Sequence, residues 1–315
     1  MSTILSRGRH YLKRVSIFLI VAALTAGMAG CVPLPSRNLA IRDWYDLHAV
    51  RNNLEGNHRL MNDLDATTAG YEELASPIAN EGKGWEPIGT LDRPFTGAFD
   101  GQGYRISDLF IGRIDESRVG LFRAVHGGLV EDVRVVNASV TGRRMVGGLV
   151  GDSSKTTVSK SYFSGNVTGI EVVGGLVGGN FLFYVSNSYS AGNVSGDRYV
   201  GGLAGHNGGI VSYAYAIGSV SGNSYVGGLV GWNAGGTVWN SFWDVETSGM
   251  EESDGGMGKS TAEMMAIATF VDTDTEGLDE PWDITAVAPG ETNPNYTWNI
   301  VDGQTYPFLS WEPIA

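Results

Sequence analysis

The sequence predicts an all-β protein whose body is a parallel β-helix (β-solenoid) with coils of about 27 residues and a helix-containing cap at each end. Three observations predict this fold: a block that returns at a fixed interval, glycine at 46 of 315 positions, and short Val-, Ser- and Thr-rich runs between polar turns. A β-propeller is not favoured, because its blades need about 40 residues or more. Helical repeats are excluded because no apolar pattern at helical spacing is sustained.

The repeated block has glycine, leucine, a small apolar residue and glycine in sequence. Its four copies are Gly148, Leu149, Val150 and Gly151; Gly175, Leu176, Val177 and Gly178; Gly202, Leu203, Ala204 and Gly205; and Gly228, Leu229, Val230 and Gly231. They are 27, 27 and 26 residues apart. Other residues recur in step, among them Tyr162, Tyr189 and Tyr215, and Asn180, Asn207 and Asn233. Because stacked coils lie about 4.8 Å apart, we predict a single file of tyrosines and a ladder of asparagine amides.

The repeat glycines are expected to serve two purposes. They would allow backbone corners with positive φ, and they would let neighbouring coils approach closely. The third interval is one residue shorter than the others, and the deletion falls between Gly205 and Val211 in a polar, Gly-rich stretch. A loop is therefore predicted there.

The repeat blocks, together with residues 187–196, resemble the GLUG-motif repeat family of bacterial secreted and surface proteins. That family includes some IgA-specific metallopeptidases, whose zinc helix carries His-Glu-x-x-His. None of the histidines in this chain is followed by Glu, so that active site is absent; they are His10, His48, His58, His126 and His206. The resemblance implies a solenoid and a surface location, and it does not identify an activity.

The first thirty residues read as a targeting segment. A basic start is followed by a twelve-residue apolar run, 15–26, which is too short to cross about 30 Å of hydrocarbon comfortably. Residues 28–31 resemble the lipobox of bacterial lipoproteins, with the single cysteine, Cys31, at the lipidated position. We predict a signal peptide over 1–30, a linker over 31–38, and attachment to a membrane through lipid on Cys31. Val32 in place of Asp favours the outer membrane.

The remaining chain divides into a cap over 39–94, the repeats over 95–243, and an acidic C-terminal cap over 244–315. In the first cap, Asp43 is positioned to begin a helix whose apolar face includes Trp44 and Leu47. The last segment has 15 acidic residues and one basic residue, within a chain of net charge -13. There Ser260 and Glu263 form a capping box that predicts a second helix.

Two groups of residues are candidates for ligand binding. Part of a calcium-loop pattern is present at Asp272, Asp274, Glu276, Glu280 and Asp283. Its eighth position is acidic and its last is Asp, so we favour a solvated turn, with weak calcium binding as the alternative. A second candidate is a sugar-stacking platform of Trp232, Trp239 and Trp243. We favour burial of these rings against the C-terminal cap.

No cofactor site and no catalytic residues are assigned. The charges in the repeats do not recur at one position and form no evident pair of carboxylates; they are Arg143, Arg144, Asp152, Lys155, Lys160, Glu171, Asp197 and Arg198. The acidic balance argues against a nucleic-acid partner. The sequence therefore favours a non-catalytic envelope lipoprotein that binds a glycan or a surface protein, with a polysaccharide lyase or glycosidase as the alternative.

Overall fold

The computed structural model of the protein describes residues 39–182 and 184–312, all within the unit Arg37–Ala315. The predicted signal peptide, the linker and Cys31 lie outside the described residues. The predicted fold is confirmed: four parallel sheets run along a solenoid of about 27 residues per coil. No helix among the described residues has the length and apolarity needed to cross a membrane.

Sheets A and B are the longest. Sheet A contains β1 (Leu39–Ile41), β2 (Asn57–Leu60), β3 (Ala98–Asp100), β8 (Leu129–Glu131), β12 (Thr157–Ser159), β16 (Tyr184–Ser186), β21 (Ile210–Ser212) and β26 (Thr237–Trp239). Sheet B contains β4 (Arg105–Ser107), β5 (Phe110–Gly112), β9 (Arg134–Thr141), β13 (Tyr162–Thr168), β17 (Tyr189–Ser190), β18 (Asn193–Ser195), β22 (Tyr215–Ala216), β23 (Val220–Ser221), β27 (Phe242–Asp244) and β28 (Met257–Lys259).

Sheets C and D have one strand from each of five coils. Sheet C contains β7 (Phe122–His126), β11 (Val150–Ser154), β15 (Val177–Phe181), β20 (Ala204–Asn207) and β25 (Val230–Asn233). Sheet D contains β6 (Ser117–Val119), β10 (Arg144–Gly147), β14 (Glu171–Gly174), β19 (Arg198–Gly201) and β24 (Ser224–Gly227). The repeat motif forms the corner between sheet D and sheet C, and its leucines are fully buried. The one-residue deletion lies at the corner between β20 and β21, where a loop was predicted.

Like side chains stack on like, as the repeat interval predicts. Tyr162 and Tyr189 have ring centroids 4.5 Å apart, and Tyr189 and Tyr215 have centroids 4.7 Å apart, with nearly parallel planes. The buried amide of Asn207 donates to the side chain of Asn233 at 2.9 Å and accepts from Asn180 at 2.8 Å. The predicted tyrosine file and asparagine ladder are confirmed.

The predicted role of the repeat glycines is half correct. None of them has positive φ; the left-handed position of each sheet D strand is a non-glycine residue instead, namely Arg118, Met145, Val172, Tyr199 and Tyr225, with φ between 54° and 61°. The glycines are required for close approach. A Cβ at Gly178 would lie 2.6 Å from the Gly151 carbonyl oxygen, and one at Gly202 would lie 2.2 Å from the Gly228 carbonyl oxygen, each on a neighbouring coil. The corner prediction was wrong because these glycines provide space between coils rather than conformational freedom.

The N-terminal segment closes the first coil with buried aromatic residues. Its helix, Trp44–Ala49, begins at Asp43, whose side chain accepts from the Asp46 N–H at 2.8 Å, and a 3₁₀ turn follows at Val50–Asn52. Two further short helical turns are Tyr71–Leu74 and Ala79–Gly82. The predicted N-cap residue of this helix, Asp43, is confirmed.

The C-terminal segment covers the tyrosine file. Its helices are Val245–Ser248, Thr261–Met264 and Ala268–Val271, the second beginning at the predicted capping box, and its strands are β29 (Ile284–Ala286), β30 (Trp298–Ile300) and β31 (Phe308–Leu309). The hydroxyl of Tyr189 donates to Glu312 at 2.9 Å. Trp311 stacks near Tyr162, with centroids 6.2 Å apart, and lies against Gly103. The segment therefore reaches from the last coil back to the first ones.

Candidate functional site

The outward face of sheet D is the candidate site, and we call it the D face. Three neighbouring columns of residues form it, namely the residue before each strand and the first two residues of the strand. All of them are at least partly exposed except Val172, which is buried. The columns are Glu116, Arg143, Ile170, Asp197 and Asn223; Ser117, Arg144, Glu171, Arg198 and Ser224; and Arg118, Met145, Val172, Tyr199 and Tyr225. Since the middle column is in direct register, each residue lies one coil, or about 4.8 Å, from the next.

The C-terminal end of the D face is aromatic. Tyr199 stacks against Trp232 with centroids 4.9 Å apart, and against Tyr225 with centroids 5.0 Å apart. His206 meets Trp232 edge-on at 5.0 Å, and burial lowers its pKa, which favours the neutral ring. Tyr225 is 55% exposed and Trp232 is 38% exposed. Water therefore reaches part of this aromatic cluster.

A guanidinium lies over the aromatic cluster. The Arg198 guanidinium carbon is 4.3 Å from the centroid of Tyr199 and 5.3 Å from that of Tyr225. Cation–π contacts of this kind contribute about 0.5–1 kcal/mol at exposed sites. Next to it, the Asn223 amide donates to the side chain of Asp197 at 2.6 Å. Hydrogen-bonding groups thus border the exposed rings on one side.

The N-terminal end of the D face is basic. Arg144 pairs with Glu171 at 3.3 Å, and Arg118 pairs with Asp152 of sheet C at 2.8 Å. Arg143 is exposed and has no ion pair within the described residues. A cleft of about 350 Å³ lies between Arg143, Arg144, Ile170, Glu171 and Ser117.

A second cleft, of about 300 Å³, shares Ser117 with the first and is lined in part by Arg118 and Arg123. Arg123 and Arg113 both donate to Glu116 at 2.7 Å. Burial opposes ionisation of Glu116, but these two hydrogen bonds outweigh it and lower its pKa. The carboxylate therefore stays charged and holds both arginines in place.

The three tryptophans of the predicted platform lie on three different sheets. Trp232 belongs to the aromatic cluster. Trp239 is half-buried and contacts Tyr213, with centroids 5.2 Å apart, beside the C-terminal segment. Trp243 is buried, and its indole N–H donates to the Met250 carbonyl at 2.9 Å. Trp243 is therefore buried against the C-terminal segment, Trp239 is half-buried against Tyr213, and Trp232 is partly exposed.

Sequence reasoning missed Tyr199 and Tyr225 as candidates. They occupy the column that earlier coils fill with Met145 and Val172, so a change from aliphatic to aromatic residues within one repeat position was the available signal. That change was not recognised as a signal, because the position lies just before the glycine motif and nothing in the sequence shows that it is exposed.

The acidic turn that resembles a calcium loop is held by protein hydrogen bonds. Asp283 accepts from the Thr297 N–H and hydroxyl at 2.9 and 2.8 Å, and Asp272 accepts from the Asp274 N–H at 3.0 Å. Within the described ranges, no three His, Cys, Asp or Glu side chains converge as metal ligands would. Calcium binding at this turn stays a prediction.

Two carboxylates at the end of β8 in sheet A, Glu131 and Asp132, have raised pKa values. Asp100 is in register with Glu131, and Asp132 is the next residue after Glu131. Burial is the main cause that raises the pKa of Glu131, with repulsion from Asp132 and Asp100 adding to it. These groups line neither of the two clefts described above.

Comparison with known proteins gives two matches to parts of much longer chains, and no protein-family model matches this chain. One match is "Halomucin" of Haloquadratum walsbyi, 37% identical over 141 residues, which is 42% of this chain and 2% of that protein. Another is a "Putative Gly-rich membrane protein" of Evansella cellulosilytica, 37% identical over 113 residues, which is 34% of this chain and 12% of that protein. This chain therefore spans only a small part of the length of either relative.

Proposed function

We propose that this protein is a non-catalytic scaffold of the cell envelope that binds glycans through the aromatic cluster on the D face. The observation that carries the proposal is the exposure of Tyr225 and Trp232 beside Tyr199. Exposed aromatic clusters rimmed by polar groups mark binding sites rather than ordinary surface. The resemblance to GLUG-motif surface proteins agrees with this role.

Sugar rings suit this surface chemically. A pyranose presents a face of C–H groups that packs on an aromatic ring, while its hydroxyls bond to neighbouring polar groups. Tyr225 and Trp232 offer the rings, and Arg198 and Asp197 offer a donor and an acceptor at their border. Tyrosine and tryptophan also lose little conformational entropy on binding, because they are rigid and already packed against each other.

The names of the two relatives support a location in the envelope. One is named a mucin and the other a membrane protein, and each matches more than a third of this chain's length. Repeats that build a stiff solenoid suit a surface scaffold, since coils add length without needing a new core. The activity of either full-length relative is not carried over to this chain.

Truncation of the exposed rings tests glycan binding. We expect Trp232→Ala and Tyr225→Ala each to weaken binding about thirtyfold on a glycan array and in titration of the glycans that bind, because each removes an aromatic anchor worth about 2 kcal/mol. Melting temperatures should change little, as both rings are partly exposed.

Tyr296→Ala is the matched control, since Tyr296 is 39% exposed on the C-terminal segment and lies outside the aromatic cluster. Unchanged glycan affinity in both cluster variants would contradict the proposal. An assay for reducing sugars or unsaturated products belongs to the same experiment. Product formation by the wild-type protein would contradict a non-catalytic role and favour the lyase or glycosidase alternative.

We also propose that lipid on Cys31 anchors the protein, with the outer membrane as its location. The motif at residues 28–31 and Val32 support this proposal. We expect wild-type protein expressed in a Gram-negative host to incorporate a labelled fatty acid and to sediment with outer membranes, and Cys31→Ser to lose the label. Label retained by Cys31→Ser would show that the lipid is elsewhere or that the motif is misread.

A further inference from the structure

We propose that the D face selects an acidic polysaccharide with one carboxylate or sulfate on every second sugar, laid along the solenoid axis. This inference rests on the proposed glycan-binding function and adds the chemical class of the glycan. The juxtaposition that carries it is a pair of exposed guanidiniums, Arg143 and Arg198, with the carboxylate of Glu171 on the coil between them, next to the aromatic cluster.

The spacing of the two arginines sets the spacing of the anions. The two unpaired arginines are Arg143 and Arg198. Backbone hydrogen bonds join Arg143 to Ile170 and Ile170 to Asp197, the residue before Arg198, so these arginines lie two coils apart. Two coils correspond to about 10 Å at the usual separation of parallel strands. One coil is close to the advance of one sugar along an extended polysaccharide, so the two guanidiniums match groups on alternate sugars.

The arginines of this face and its border differ in whether a carboxylate of the protein pairs with them. Arg118, Arg123 and Arg144 each have a carboxylate partner, whereas Arg143 and Arg198 have none among the described residues. Both are exposed. In a chain with a net charge of -13, two exposed guanidiniums without acidic partners on one face indicate a place for an external anion.

Glu171 excludes a polymer that is charged on every sugar. It lies between the two arginines and is about one-third exposed, so an anion on the intervening sugar would meet a carboxylate. A hydroxyl at that position could donate to Glu171 instead. Like charges brought together at an interface disfavour the wrong partner strongly.

The cleft beside this column has room for a sugar. Its volume is about 350 Å³, and Arg143 and Arg144 line it together with Ile170, which is 51% exposed and offers an apolar wall. An anionic sugar placed in the cleft would put its neighbours along the column toward Arg198 and the rings of Tyr199 and Tyr225. The basic end and the aromatic end of the D face would then bind the same extended ligand.

The test compares ligands of matched length with different charge patterns. Titration of the wild-type chain should give at least tenfold tighter binding of hyaluronan oligosaccharides, which carry a carboxylate on every second sugar, than of oligogalacturonates or neutral cello-oligosaccharides. The hyaluronan affinity should fall as salt is raised. Equal affinity for all three would overturn the inference, as would equal binding of a single-stranded DNA oligonucleotide.

Variants locate the preference on the D face. We expect Arg143→Gln to weaken hyaluronan binding about tenfold and to leave neutral-glycan binding unchanged, and Arg198→Lys to retain most of the preference because the charge remains. Arg59→Gln is the control, since Arg59 is exposed on β2 of sheet A and outside the D face. If Arg143→Gln leaves the charge preference intact while Trp232→Ala abolishes binding, this inference fails and the proposed function stands. If no glycan binds, both fail.

Discussion

Replacement of Gly174 by alanine should destabilise the folded protein by about 3–5 kcal/mol, which is a large part of the stability of a typical domain. An added Cβ would lie 2.1 Å from the Val177 carbonyl oxygen and 2.6 Å from the Gly205 backbone nitrogen. Both are backbone atoms, the first in the same coil and the second in the next coil, so no side-chain rotation can relieve the overlap. Urea unfolding followed by circular dichroism measures the loss, and poor yield of folded protein is the extreme form of the same result.

Gly208→Ala separates this effect from the general cost of replacing glycine. Gly208 lies at the corner between β20 and β21, its φ is outside the left-handed region, and its nearest neighbour to an added Cβ is a His206 ring atom at 3.4 Å. We expect a change within about 0.5 kcal/mol, as for an ordinary surface substitution. Equal destabilisation by the two variants would show that coil contact is not what the repeat glycines provide.

The stability of the protein should fall by about 3 kcal/mol as the pH rises from about 4.5 to 7, because of Glu312. Burial of this carboxyl raises its pKa to about 7, while hydrogen bonds from the Leu309 N–H and the Tyr189 hydroxyl oppose the shift only in part. The folded protein holds the proton more tightly than the unfolded chain does. The stabilisation from protonated Glu312 is therefore fully present below pH 4.5 and is lost progressively up to about pH 7. Above that pH, Glu312 causes no further change in stability.

Glu312→Gln should remove this pH dependence and raise stability at pH 8. The amide keeps an oxygen for the Leu309 N–H and adds a donor toward Tyr189 without burying a charge. Chemical unfolding at pH 5 and pH 8 measures the difference. Glu291→Gln, at an exposed glutamate of the same segment, is the control. A slope that survives in Glu312→Gln would assign the pH dependence to other groups.

The repeat interval was sufficient to predict the solenoid and the register of its coils. Identical residues at a constant interval have few alternatives to stacking, and Tyr162, Tyr189 and Tyr215 lie where that reasoning places them. The helix caps at Asp43 and Ser260 were also predictable, because capping depends on residues a few positions apart.

The backbone angles and the binding surface were not predictable in the same way. Val172 adopts φ of 60°, which a β-branched residue rarely does, because the stacked coils hold its column in the left-handed conformation. Sequence-based rules assign that conformation to glycine. Likewise, Arg143 and Arg198 are 55 positions apart in the chain, and only the stacking of the coils places them on one face.

The contacts of the C-terminal segment span a fixed number of coils. It leaves the last coil at Phe242, bonds to Tyr189 through Glu312, and ends with Trp311 against Tyr162 and Gly103. Duplication of one 27-residue unit would lengthen the column by about 4.8 Å and draw these anchors out of alignment. Gain or loss of one repeat would therefore cost the protein these contacts, and we expect it to lower the free energy of unfolding.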